Sequence, residues 1–255
     1  MILQIKGLVK DFEGLRALSN VDIEIQKGEI FGLIGPNGSG KTTLLNIITG
    51  FLKPTAGYII YKGRSIGGLK PHVIAKKGVI RTFQISNIFP GLTATETIIA
   101  GRYLEARSSI AGAFFHTRGY RREEVELKQK AAEILAILGL QEKGYVFANA
   151  LGAGEQRKLQ IATALAAEPE LLLLDEPASG LNTTEAEEMV HLLRSIQKAG
   201  RTLLVVEHNM KVMMSLCTRI AVLDYGSKIA EGTPEEIVKN EKVISTYLGK
   251  DQKSV

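Results

Sequence analysis

Apolar and polar residues alternate through the first 29 positions, with Ile2, Ile5 and Leu8 before residues 12–16 and Val21, Ile23 and Ile25 after them. A period of two in both runs predicts two β-strands, each burying one face, joined as a hairpin. The alternation stops at residues 30–34, where Ile30, Phe31, Leu33 and Ile34 form an almost unbroken apolar run. Such a run suits a short strand covered on both sides. Residues 41–50 change to helical spacing, with Leu44, Leu45, Ile47 and Ile48 ahead of a closing Gly50. Two more strands are expected, at residues 57–63 (GYIIYKG, bounded by glycines) and at residues 79–84, ending at Gln84.

From Leu92 to about Leu165 the period is helical. Thr93 and Thr95 ahead of Glu96 suit the N-terminal cap of a helix. Residues 123–138 carry Val125, Leu127, Ala131, Ile134, Leu135 and Leu138 near a 3.6 period and stop at Gly139. Apolar strands then return as LLLLDE (171–176), TLLVVE (202–207) and RIAVLD (219–224), separated by helical stretches. Runs of that kind belong to the centre of a parallel sheet. The helical stretch therefore interrupts an α/β domain instead of following it. Residues after Gly249 read as a loose tail, and no internal repeat is visible.

The junction between the strand at 30–34 and the helix after it carries the strongest chemistry. Residues 35–43 read GPNGSGKTT, which fits G-x-x-x-x-G-K-[ST] in a strand–turn–helix context. Gly35, Gly38 and Gly40 permit a tight turn with no side chain between backbone and ligand. The loop of Gly35, Pro36, Asn37, Gly38, Ser39, Gly40, Lys41, Thr42 and Thr43 is then expected to bind an anion, with the N–H groups from roughly Gly38 to Thr43 pointing inward as a nest at a helix N-terminus. Lys41 suits the β- and γ-phosphates of a nucleoside triphosphate, and the Thr42 hydroxyl suits Mg²⁺. Further on, Asp175 and Glu176 end an apolar strand, where a carboxylate faces the ligand crevice of an open α/β sheet. Asp175 suits Mg²⁺, and Glu176 suits a general base acting on water.

Composition adds limits. A length of 255 residues points to one core with a subdomain, and 45% hydrophobic with 23% charged residues is ordinary for a soluble globular protein. No apolar stretch approaches the roughly 20 residues that span a bilayer, and the first residues lack the apolar region of a signal peptide. The lone Cys217, set among Val212, Met213, Met214, Leu216 and Ile220, reads as a buried filler. These features point to the cytoplasm. A net charge of +5 permits an anionic neighbour without demanding one. The basic run at residues 118–124 (RGYRREE) quickly turns acidic and reads as the solvated start of a helix.

Taken in order, Phe12, GPNGSGKTT, Gln84, LGAGEQRKL (151–159), LLLLDEP, SGLN (179–182) and His208 resemble the ATP-binding cassette (ABC) ATPases over nearly the whole chain. The resemblance implies an α/β P-loop NTPase (RecA-like) core with a small antiparallel β-subdomain and an inserted α-helical subdomain. Residues 1–91 and 166–255 would form the ATP-binding core and residues 92–165 the insertion. It also implies that Phe12 stacks on adenine, although a core phenylalanine in a hairpin is the other reading of that residue. Gln84 would contact Mg²⁺ or the attacking water, and His208 would hydrogen-bond the γ-phosphate. Asn182 would lie near a dimer interface, where family members often carry aspartate.

ABC ATPases close head to tail, each ATP held between one subunit's phosphate loop and the other's LSGGQ signature. Here that signature is Leu151, Gly152, Ala153, Gly154 and Glu155, with glycine in the serine position. Loss of one hydroxyl contact to a charged phosphate costs about 1.5–3 kcal/mol at most. Within the family, ISNIFPGLTATETI after Gln84, the insertion ending in RREE, VEHNM, GSKIAEGTPEEI and ISTYLGK resemble the branched-chain amino acid importers. That likeness implies two ATPase subunits beneath integral membrane permease subunits, on the inner face of the membrane, fed by an extracytoplasmic solute-binding protein. Ile85, Ile88, Phe89 and Leu92 either line the groove for a permease helix or belong to the core of the helical subdomain. Nucleic acid is not an expected partner. A soluble ABC ATPase acting on nucleic acid or as a scaffold, an importer for another small polar solute, and an exporter remain the alternatives.

Overall fold

A computed structural model describes residues 1–82, 91–102 and 118–248. Gln84, Ile85, Ile88, Phe89 and the tail after Gly249 lie outside the described residues. The chain begins with a hairpin of β1 (Leu3–Phe12) and β2 (Leu15–Ile25), then β3 (Ile30–Ile34) and α1 (Lys41–Ile48). β4 (Ala56–Tyr61), β5 (Arg64–Ser65), α2 (Pro71–Lys76) and β6 (Val79–Arg81) follow. Among the described residues the α-helices α3 (Ala94–Arg102), α4 (Arg118–Ile137) and α5 (Ala153–Ala166) come next. The rest alternates: β7 (Leu171–Asp175), α6 (Thr183–Lys198), β8 (Thr202–Val206), α7 (Met210–Leu216), β9 (Arg219–Asp224), β10 (Ser227–Gly232), α8 (Pro234–Lys239) and α9 (Glu241–Leu248).

Two sheets result. One is antiparallel, in the order β2-β1-β4-β5; the other runs β10-β9-β3-β8-β7-β6. In the second, β9, β3, β8, β7 and β6 pair in parallel, and only the edge strand β10 is antiparallel. The apolar runs read from the sequence are its central strands, and their two faces enter different cores. Ile30, Leu172, Leu174, Leu203, Val205, Ile220 and Val222 face a core shared with α3–α7. Phe31, Leu33, Leu171, Leu173, Leu204, Val206, Ala221 and Leu223 face a second core, which holds α1 and the antiparallel sheet. Covering both faces is why these strands carry no alternation.

Sequence periodicity located the hairpin, the central strands and α4. It missed α2, the edge strand β10 and the C-terminal helices α8 and α9. These are short or half exposed, so burial leaves a weak apolar period in them. Thr93 does cap α3: Glu96 N–H donates to its Oγ1 at 3.3 Å, and its own N–H donates to the Glu96 carboxylate at 2.8 Å. The expected strand at 79–84 is β6 as far as Arg81, and β6 pairs with β7. The two strands that pair, β6 and β7, thus lie on either side of α3, α4 and α5 in the chain.

Glu168, between α5 and β7, ties the helical layer to the sheet. Arg102 of α3 and Lys130 of α4 each approach its carboxylate at 2.8 Å. The Lys130 and Arg102 hydrogen bonds hold its carboxyl down to about 2. Arg201, ahead of β8, donates to the neighbouring Pro169 carbonyl at 2.9 Å.

Cys217 is buried as expected, its Sγ 3.9 Å from Met213 Sδ. Burial pushes its thiol up to about 12. Among the described residues no helix is long and apolar enough to cross a membrane.

Candidate nucleotide-binding site

The C-terminal ends of β3, β7 and β8 open into a cleft of about 450 Å³, the place where open α/β sheets bind ligands. Asn37 through Thr43, Asp175, Glu176 and His208 all line it. β3 is the buried five-residue run IFGLI, and the chain then wraps from Gly35 to Gly40 before α1 begins at Lys41.

Two glycines are required there by close approach. At Gly35 (φ 153°) a Cβ would lie 2.1 Å from the Leu223 carbonyl oxygen. At Gly40 (φ 103°) it would lie 2.8 Å from the Ala17 carbonyl oxygen. No L side chain fits either position. The loop is also pinned from below, because Gly226 N–H donates to the Ser39 carbonyl at 3.1 Å and Ser19 N–H donates to the Gly226 carbonyl at 2.8 Å. Ser39 is 2% exposed, and among the described residues its Oγ has no hydrogen-bond partner. A buried hydroxyl without a partner, one residue before the N-cap of α1, is available to an anion at the helix N-terminus. Lys41 folds over the loop, its Nζ donating to the carbonyls of Gly35 (2.7 Å) and Pro36 (2.9 Å).

Asp175 ends β7 with its carboxylate 2.6 Å from the Arg81 guanidinium, both side chains largely buried. Arg81 also donates to Asn46 Oδ1 at 2.6 Å, so one cation joins α1, β6 and β7. Thr42 is exposed on the same cleft. A hydroxyl and a carboxylate are the hard oxygen donors that Mg²⁺ accepts. Among the described residues no group of three or more His, Cys, Asp and Glu could cage a metal ion. A cation here would therefore draw most of its ligands from phosphate and water, as Mg²⁺ does beside nucleotides.

Glu176 adopts a left-handed backbone (φ 51°), uncommon for a residue with a Cβ. Its N–H donates to the Val206 carbonyl at 2.8 Å, and its Oε1 lies 2.9 Å from His208 Nε2. The two residues that the sequence placed at different strand ends are thus in contact. Beside them, Glu207 is 2% exposed. Burial pushes its carboxyl up, against the opposing effect of hydrogen bonds from Ala178, Asn209 and His208.

Phe12 is 39% exposed, which excludes the core placement. It lines the cleft, and Lys10 Nζ sits 4.7 Å from its ring centroid. Leu15, Arg16, Ala17 and Tyr225 share that end of the cleft.

Residues 152–155 do not line the cleft. Gly152 and Ala153 are exposed where α5 opens. Gly152 N–H donates to Glu155 Oε2 at 3.0 Å, which is half of a capping box. Glycine has no side chain to supply the other half. Asn182 caps α6, its Oδ1 accepting from Glu185 N–H at 3.0 Å, a role aspartate fills equally well.

Sequence reasoning missed Arg81, Glu207 and Tyr225. Two of them had a visible signal: Glu207 is a carboxylate closing an apolar strand, and Arg81 a cation at a strand end near Gln84. Tyr225 sits in a turn whose place beside Phe12 depends on the tertiary fold.

With this geometry in hand, likeness to known proteins follows the same lines. A family profile described as "ABC transporter" matches residues 18–179, and one described as "Branched-chain amino acid ATP-binding cassette transporter" matches residues 227–253. LivG of Salmonella typhimurium, named as a high-affinity branched-chain amino acid transport ATP-binding protein, is 41% identical over 97% of this chain and 98% of its own. BraF of Pseudomonas aeruginosa, named for the same transport, is 39% identical over the same shares. A nucleotide-free ATP-binding cassette from an ABC transporter superposes with a TM-score of 0.86 at 30% identity, covering 96% of this chain and 98% of its own. A dimeric cassette bound to ADP and Pi reaches 0.76 at 29% identity, covering 91% and 99%.

Proposed function

Since the chain belongs to the ABC transporter ATP-binding family, whose members hydrolyse ATP to power transport, we propose that it drives uptake of branched-chain amino acids. The observation that carries the substrate is the match of residues 227–253, beyond the phosphate-binding core, to the branched-chain amino acid cassettes. Full-length relatives named for that transport support it.

In this reading the loop from Gly35 to Thr43 holds the triphosphate, Lys41 leaving its carbonyl partners for phosphate oxygens, a stronger charge match. Phe12 takes the adenine. Thr42 and Asp175 would hold Mg²⁺, with Gln84 as a further contact, and the ion would supply positive charge against the phosphates. Glu176 accepts a proton from the attacking water, and His208, now against Glu176, is placed to turn to the γ-phosphate. The dimeric neighbour supports closure on a second ATPase subunit, whose Gly152, Ala153, Gly154 and Glu155 would complete the site. Residues 92–165 form the insertion that meets integral membrane permease subunits on the inner face of the membrane. An extracytoplasmic binding protein delivers the solute.

Reconstitution with the permease and binding protein in liposomes tests this. Leucine, isoleucine or valine should stimulate ATP hydrolysis, and Glu176→Gln should abolish turnover while sparing ATP binding. Normal turnover in that variant would refute the base assignment. Stimulation by RNA without the permease would favour the soluble alternative.

A further inference from the structure

The carboxylate of Glu207 lies outside the cleft, yet it joins the two backbone segments that carry the reactive pair. Its Oε1 accepts the N–H of Ala178 at 2.6 Å. Its Oε2 accepts the N–H of His208 at 3.1 Å, with the N–H of Asn209 at the limit, 3.5 Å. Ala178 stands two residues after Glu176, and His208 is the residue in contact with Glu176. One buried anion therefore spans both sides of the Glu176–His208 contact.

Three physical points favour a positioning role over a local cap. First, α7 already has a cap, since Asn209 Oδ1 accepts from Lys211 and Val212. Second, burying a carboxylate is costly, and an apolar residue would close an otherwise apolar strand without that cost. Third, both oxygens serve as acceptors, an arrangement that an ionised carboxylate satisfies and an amide does not. The backbone at Glu176 is itself held in a sparsely populated conformation, which persists where surrounding bonds over-determine it.

We propose that Glu207 is a positioning residue for ATP hydrolysis, a carboxylate clamp that sets the separation of Glu176 from His208 by binding the backbone on either side. This rests on the assignment of Glu176 and His208 given above. The clamp makes the loop after β7 and the turn after β8 move as one body. Its hydrogen bonds among the described residues go to Ala178, His208 and Asn209 and not to the phosphate loop, so it acts on turnover and leaves binding of the nucleotide diphosphate alone.

The test uses the full chain and Glu207→Gln, which keeps the shape and replaces one acceptor oxygen by a donor. Loss of a hydrogen bond to a charged group predicts a fall in kcat of about 10- to 100-fold, with KM changed less than about threefold. Affinity for a fluorescent ADP should stay within about twofold. Unchanged kcat overturns the inference, and so does an equal loss of ADP affinity and thermal stability, which marks a merely structural role. If the variant does not fold, hydrogen exchange on the wild type decides. Slow exchange at the Ala178 and His208 amides supports the clamp, and fast exchange at both overturns it. Glu176→Gln and His208→Ala are assayed alongside. Wild-type turnover in both would sink the site assignment itself, whereas slow turnover in both with a normal Glu207→Gln sinks the clamp alone.

Discussion

The phosphate loop and the segment that opens α5 both end at a helix N-terminus, and they are built by opposite means. Around the loop, glycine is forced: Gly35 and Gly40 press against the backbone of Leu223 and Ala17, and the β9–β10 turn bonds to the loop from below. At the opening of α5, glycine is optional. Gly152 has φ −62°, and a Cβ there would meet nothing closer than Glu155 Oε2 at 3.8 Å. The phosphate loop is immobilised by packing, whereas the opening of α5, the proposed second half of the site, is exposed on a helical layer joined to the sheet partly through ion pairs. A preformed cradle binds without reorganising, while an exposed half-site on a separate layer suits a contact that must form and break.

The contrast breaks most sharply at Gly35→Ala. Clash and strain together should cost roughly 3 kcal/mol, seen as a lower Tm, and fluorescent nucleotide titration should show no binding. Wild-type affinity would mean the loop adapts and the contrast is false. Gly152→Ser is expected to act in the opposite direction. In a Glu176→Gln background it should tighten ATP-driven dimerisation about tenfold, the scale of one hydroxyl contact to a charged phosphate. Unchanged light scattering would remove that contact.

The smallest expected effect is at the joint between the layers. Glu168→Gln should lower stability by about 1 kcal/mol, discounted because the carboxylate is half exposed. The folded-state pKa of Glu168 is depressed from 4.5 to about 2, so its contribution is present above pH 4.5 and is lost as pH falls through about 2. The difference in stability between wild type and variant should shrink over that window. A constant difference would assign the joint to packing instead.

Legibility in the sequence followed the same division. The central strands could be read because burial on both faces leaves unbroken runs such as Leu171 to Leu174, and the loop because its glycines, Lys41 and Thr42 are contiguous. What stayed hidden depends on pairs far apart in the chain. Arg81 meets Asp175 across 94 positions, and the link from Ala178 to Glu207 spans 29. Neither pair has a periodic signal. Phe12 could be read as core or cleft until the hairpin was seen to leave it at the edge. Short helices such as α2 and α8 bury too few residues to imprint a period.

Cys217 offers a practical opening. It is the chain's single cysteine, packed beneath β3 with its thiol raised to about 12, so it stays protonated and shielded under labelling conditions. The wild-type chain is thus already a silent background for thiol chemistry. A spectroscopic probe placed by Asn37→Cys or Gly152→Cys would be the single reporter in each copy. Distances measured between copies would then test whether the proposed half-sites approach and part, with no native cysteine to remove first.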